Sequence, residues 1–443
     1  MTVLSSAAAS DPPIPGRRTD ADPKRRRSRH PGIVLAMLTF VYVLNFLDRQ
    51  LLGILAKPIQ DSLHITDGQL GLIGGLYFAM FYCFIAIPVS WLADRTSRVG
   101  VLTLACAIWS AATIACGMAR TYPQLVVARM VVGFGEAGGV PPSYALITDT
   151  FAPGRRGVAF GIYNLGPPIG AALGIALGAT IATLFDWRDA FVAIGLVGIV
   201  AAIALPFVVP EPARGAADPD AAISLDKAPF WATLRAFFAN PVMTLAAFGS
   251  GATQFVTYGL GNFAVLFLIR EKGMTLPEIA VWYALAIVVG MGGGMIASGR
   301  IIDHFSRRGS RRVFAVAPAL SLAVSMPFYI AFVWAPAWPL ALALLTVVMF
   351  FNYFYLSCSV TLVQEEASPN QRVLAGALLL LVMNFIGLGL GPTWVGAASD
   401  HFAAGGATNP LQQALYTLTP FYVIAIGLFL WLARTLHRQE PTR

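Results

Sequence analysis

Four side chains in this sequence could do acid–base or ion-pair chemistry in an unusual setting. Asp48 and Arg49 stand side by side in VYVLNFLDRQLLG (residues 41–53), and Arg129 and Glu136 stand in RMVVGFGEAGG. Both stretches are otherwise apolar. An ionisable side chain at the centre of a membrane helix costs about 2.5–3.5 kcal/mol on insertion scales, so it needs a partner or a wet cavity. Arg129 and Glu136 are seven residues apart, which puts them on one helix face about two turns from each other. Burial favours the neutral form of a carboxyl, and a nearby guanidinium favours the charged form. An acid held between those effects can exchange a proton when its surroundings change. Asp48 and Glu136 are therefore the candidate proton-coupling acids. Arg129, which keeps its proton, is the fixed counter-charge that an acid or an anionic headgroup meets. The structural reading of Asp48 is an ion pair with Arg129 or Arg49. Arg49 is a possible charge partner that could also pair locally or extend to the membrane surface.

These charges are unusual only if lipid surrounds them, and the composition points that way. The chain has 443 residues, 57% of them hydrophobic and 12% charged. An ordinary soluble domain carries about 25% charged residues. Cys83, Cys106, Cys116 and Cys358 all lie in apolar segments with no C-x-x-C pair, which argues against a disulfide framework or zinc ribbon. The histidines (30, 64, 304, 401, 437) form no metal-ligand spacing, and nothing calls for a cofactor. The net charge of +8 comes largely from RRTDADPKRRRSRH, residues 17–30. This stretch is no signal peptide, since no short apolar region with a small-residue cleavage site follows. It reads as a disordered cytoplasmic anchor, attracted to anionic lipids at about 1 kcal/mol per basic residue, rather than as a nucleic-acid site.

A bilayer core needs about 20 apolar residues as helix, and twelve segments qualify. The first six are 33–55, 68–92, 99–118, 123–148, 157–184 and 189–209; the second six are 241–269, 278–301, 312–333, 337–361, 372–397 and 413–434. The organisation is thus a basic tail (1–32), a six-helix half (33–209), a linker (210–240), a second six-helix half (241–434) and a short tail (435–443). In the linker, APFWATLRAFFANP reads as an interfacial helix with aromatics on one face. Most Lys and Arg fall in the loops on the side of the two termini. Only Lys57, Arg120, Arg188, Arg270 and Lys272 fall on the other. The positive-inside rule then places both termini in the cytoplasm, and the Ala- and Arg-rich composition suggests a bacterial inner membrane.

The halves repeat each other. WLADRTSR recurs as RIIDHFSR, so Asp94 matches Asp303 and Arg98 matches Arg307, 209 residues apart in both cases. PGRRGVAFG recurs as PNQRVLAGA, matching Arg156 with Arg372. Two six-helix halves related in this way suggest a transporter with its site at the midplane between them.

SWLADRTSRVGVL resembles the loop signature of the major facilitator superfamily, with Ser90, Ser97 and Val99 departing from it. RMVVGFGEAGG, GIYNLGPPIG and DWRDAF resemble that superfamily's fourth-, fifth- and sixth-helix motifs. NFLDRQ together with RMVVGFGEAG is similar to its spinster-like branch, whose animal members are linked to sphingosine phosphate and lysophospholipids. The resemblance implies an all-α fold of twelve transmembrane helices in two pseudo-symmetric halves. It also implies a proton-coupling role for the acids of these two motifs. It assigns Asp94, Arg95, Arg98, Arg156, Asp303 and Arg307 to a cytoplasmic gate, with Asp94 near the start of span eleven, where a helix dipole favours a carboxylate.

The second half supplies uncharged chemistry. Gln254, Tyr258 and Asn262 recur every four residues in GATQFVTYGLGNF and form one stripe, with Phe255, Phe263 and Phe267 on neighbouring faces. Tyr353, Ser357 and Asn384 could add hydrogen-bonding groups, as could Asn45 in the first half. These residues could equally glue helices together. GMGGGMIASGR has no strand before it and reads as helix packing, not a phosphate loop. The expected function is proton-coupled secondary active transport by alternating access, carrying an amphipathic or lysolipid-like molecule, in a protein working as a monomer. A proton-coupled carrier of a small organic anion, a drug-like exporter and a non-transporting receptor are the other readings. No nucleophile–base or metal constellation suggests an enzyme.

Overall fold

A computed structural model describes residues 30–93, 95–212, 230–306, 311–368 and 371–439. Eleven helices in it are long and apolar enough to cross a membrane. Spans one to three are Pro31–Ile54, Asp67–Ala93 and Arg98–Met118; five to nine are Gly154–Leu184, Trp187–Val208, Pro241–Arg270, Leu276–Ile302 and Val313–Trp334; ten to twelve are Trp338–Glu366, Leu374–Ala404 and Pro410–Gln439. Span four completes the twelve. It is built from two shorter pieces, Tyr122–Glu136 and Val140–Thr150. The interruption has a local cause. Gly138 and Gly139 weaken the helix, and Pro141 and Pro142 supply no amide hydrogens, a pattern suited to starting a new helix and not to continuing one. Glu136 thus ends a helical segment inside the bundle.

Other spans begin where the sequence provides caps. Ser97 Oγ accepts from Gly100 N at 2.9 Å, and Asn240 Oδ1 accepts from Val242 N at 2.8 Å. Thr66 with Gln69, and Thr275 with Glu278, form capping boxes. Such contacts satisfy helix-end amides that would otherwise lack partners. Span five breaks at Asn164 and restarts at Gly166, so its two prolines sit in the first turn of the new segment. Spans eight and eleven contain π-turns, Ile279–Tyr283, Val288–Gly292 and Phe385–Leu390. Such turns shift which side chains share a face, and they cluster at functional sites. The glycines of GMGGG pack span eight on span ten: a Cβ on Gly294 would lie 2.2 Å from the Phe350 carbonyl oxygen.

The linker's Phe230–Ala239 is helical. Phe237 is buried and Trp231 is 76% exposed. Asp94, Arg307 and the basic tail up to Arg29 lie outside the described residues.

Candidate transport site

Span one presents Asp48 and Arg49 to span four. Arg49 Nε donates to Glu136 Oε2 at 2.5 Å. Asp48 Oδ1 lies 3.8 Å from Arg129 Nη1, beyond hydrogen-bonding distance. The other oxygen of Asp48 accepts from Thr113 Oγ1 of span three at 2.7 Å. Asp48, Arg129 and Glu136 are each no more than 2% exposed. The two guanidinium groups share aromatic neighbours: the Phe78 ring lies 5.5 Å from Arg49 Cζ and 5.2 Å from Arg129 Cζ, and the Tyr82 ring lies 4.5 Å from Arg49. These are cation–π distances.

The charge pairs leave several polar atoms without a partner among the described residues: Nε and Nη1 of Arg129, Oδ1 of Asp48, Oε1 of Glu136, and both amide atoms of Asn45. Buried polar groups are nearly always hydrogen-bonded, so this cluster is suited to receiving further partners.

Both arginines reach the wall of a central cavity between the halves. The first half contributes Phe46, Arg49, Gln50, Phe78 and Arg129; the second contributes Thr257, Tyr258, Asn262, Tyr283, Asn352 and Tyr353. One wall is cationic and aromatic, and the other is aromatic with neutral hydrogen-bonding groups. Tyr283, Ile287 and Met291 of span eight face it at intervals of four residues, a register drawn along one face by the π-turns.

Residues 38–392 match the Major Facilitator Superfamily. The chain belongs to that superfamily. It is similar to an MFS-type efflux pump of Mycolicibacterium smegmatis, 28% identical over 417 residues, covering 94% of this chain and 95% of the other. It is 26% identical over 454 residues to protein spinster homolog 3 of Danio rerio, covering 96% and 90%. A crystal structure of a bacterial homolog of the human lysosomal transporter Spinster, inward-facing and unoccupied, superposes with a TM-score of 0.84 at 30% identity, covering 93% of this chain and 99% of that one. The protein is a multi-pass, spinster-like transporter and not an enzyme.

In this spinster-like transporter the hydrogen bonds that join the halves, among the described residues, cluster toward the end opposite the termini, and one lies deeper, from Leu76 N to Thr393 Oγ1 at 3.2 Å. Arg270 grips Asp67 through two contacts, at 2.8 and 2.9 Å, and Gln60 Oε1 at 2.7 Å. Ser399 Oγ donates to Asp67 Oδ2 at 2.6 Å, and Gly68 N donates to Asp400 Oδ2 at 3.0 Å. Spans two and eleven touch through backbone there: a Cβ on Gly71 would lie 2.4 Å from the Pro392 carbonyl oxygen.

At the terminal end, the hydrogen bonds and ion pairs among the described residues stay within one half. Arg98 pairs with Asp149. Glu211 accepts from Ser97 Oγ at 2.6 Å and from the amides of Arg98 and Val99 at 2.9 Å each. Arg156 Nε donates to the Thr148 and Phe151 carbonyls, and Arg95 stacks on Trp91 with Cζ 3.9 Å from the ring centre. Asp303 lies on the last helical segment of span eight.

Of the polar residues singled out for the cavity, Tyr258, Asn262 and Tyr353 line it. Gln254 and Asn45 are buried behind it; a Cβ on Gly387 of span eleven would lie 2.2 Å from Gln254 Cβ. Ser357 and Asn384 are half-buried away from its wall. Phe255 stacks on Phe421 at 4.1 Å, and Phe267 packs on Phe332, so these rings belong to the core of the second half. Sequence reasoning missed Thr113, Phe78 and Asn352. Thr113 and Asn352 did carry a signal, as polar residues in apolar spans, but neither has a charge to draw attention.

Proposed function

We propose that this transporter moves an amphipathic, lysolipid-like molecule by alternating access, driven by protons exchanged at Asp48 and Glu136. The observation that carries the reading is the two-sided cavity, with Arg49 and Arg129 on one wall facing Tyr258, Tyr283 and Tyr353 on the other. A polar or anionic headgroup meets the guanidinium groups, while the apolar part lies against the aromatic wall. Each acid is buried beside a guanidinium neighbour. Moving that neighbour away changes which protonation state is favoured, which is how rocking of the halves would couple to proton exchange.

The excess of Lys and Arg in the loops on the side of the termini supports a cytoplasmic location for them. On that placement the ties around Asp67 close the outward side, and the conformation corresponds to the inward-facing state named for the bacterial Spinster homolog. Protons, substrate and the anionic lipids at the basic tail are then the partners of a single working chain.

A chain-length series of lysophospholipids tests the substrate class. Binding to purified protein should strengthen with each added CH₂, by up to about 0.8 kcal/mol where the group is fully buried, until the pocket is full. Affinity independent of chain length would overturn the amphipathic reading. A second reading, export of a drug-like amphiphile, draws on the likeness to the efflux pump. Efflux assays with cationic dyes and lysolipids side by side separate the two.

A further inference from the structure

Asn262 belongs to two structures at once. Its side chain lines the central cavity, as do Gly53 and Gly74 of the first half. It also fills a notch that those two glycines make between the halves. A Cβ on Gly74 would lie 2.5 Å from Asn262 Oδ1 and 3.2 Å from Leu52 Cδ2. A Cβ on Gly53 would lie 3.3 Å from the Asn262 carbonyl oxygen. The Asn262 amide is steered into place from its own helix, because Nδ2 donates to the Tyr258 carbonyl one turn earlier at 3.2 Å. This leaves Oδ1 against Gly74. The notch lies on the Asp67–Arg270 side of the cavity, so Asn262 forms its roof.

We propose that Asn262 is a positioning residue for the transport cycle: its side chain plugs the Gly53–Gly74 notch while the roof is closed and must leave it for the roof to open. A cavity wall and an inter-half seal are then one side chain, so whatever engages the amide from below acts directly on closure. The proposal rests on the alternating-access reading.

The two glycines make the idea testable, because they touch different parts of Asn262. Gly74 meets the side chain, which a substitution at 262 can remove. Gly53 meets the backbone carbonyl, which no substitution there removes.

Spin labels at Thr121→Cys and Ala404→Cys report on the roof end. Both positions are exposed, and the four native cysteines are buried. Pulsed electron resonance distances in proteoliposomes give the open and closed populations. Gly74→Ala should raise the open-to-closed ratio by about tenfold, a size typical of coupling between contacting residues. Adding Asn262→Ala should return the ratio to that of Asn262→Ala alone. Gly53→Ala should also favour opening, but Asn262→Ala should not rescue it. Asn262→Ala by itself introduces no clash and should loosen the closed roof, an arm that stands even if Gly74→Ala fails to fold. Two populations in the parent protein without selective rescue at Gly74, or an unchanged ratio in Asn262→Ala, would overturn the proposal alone. A single distance in the parent under all conditions would overturn alternating access and this proposal together.

Discussion

Asp48 and Arg49 are adjacent in the chain, yet they face different partners on span four: Arg49 Nε lies 2.5 Å from Glu136 Oε2, whereas Asp48 Oδ1 lies 3.8 Å from Arg129 Nη1. The two pairs are therefore unequal. Glu136 is closely engaged. Arg129 keeps Nε and Nη1 free of protein hydrogen bonds among the described residues, although it reaches the cavity wall. The side-by-side acid and base of span one thus divide between a tight pair and a loose one.

This inequality predicts different costs of neutralisation. Glu136→Gln leaves Arg49 without its close partner. Removing one member of a buried pair costs about 3–5 kcal/mol, and less is expected here because Arg49 faces the cavity. Asp48→Asn should cost less than Glu136→Gln, since its ion pair is long and Thr113 can still bond the amide oxygen. Unfolding midpoints in detergent check the order; a larger loss for Asp48→Asn would contradict it.

Opening of the end opposite the termini should depend on Arg270. Its guanidinium holds Asp67 with two parallel hydrogen bonds and also reaches Gln60. Lysine has the charge but not the planar fork. Arg270→Ala should move the open-to-closed ratio of that end by about tenfold or more, given the strength of bidentate charge-assisted pairs. Arg270→Lys should have an intermediate effect. Distances between labels at that end measure both, and a lysine variant indistinguishable from the parent would show that charge alone suffices.

The opposite gate rests on the repeated D-x-x-x-R pattern. Asp94→Asn should favour the conformation open at the terminal end, because it weakens a contact expected at the start of span eleven. Labels across the terminal ends of the two halves should report a smaller closed population. An unchanged distribution would remove Asp94 from the gate.

The features most legible in the sequence were those carried by charge and length. Apolar runs located the spans because a bilayer requires them, and Asp48, Arg129 and Glu136 stood out because buried charge needs a reason. Pairing was not legible. Whether Arg49 meets Asp48, Glu136 or the membrane surface depends on the crossing of spans one and four, which no spacing along the chain encodes. Gln254, Tyr258 and Asn262 share one helix, but only the last two face the cavity, because Gln254 packs against span eleven at Gly387. Asn384 precedes a π-turn, and such turns rotate a face in a way that a regular helical period does not foresee. The Asp67–Arg270 tie joins residues 203 apart in sequence, and each alone reads as an ordinary charge at a span end.

The central claim is that Asp48 and Glu136 make the conformational equilibrium respond to protons. The most direct measurement is the pH dependence of spin-label distances across the cavity's two ends in proteoliposomes, for the parent and for the Asp48→Asn, Glu136→Gln double variant. The parent should shift between its two populations as pH changes, and the double variant should hold one ratio throughout. A double variant that keeps the parent's pH response would contradict the account.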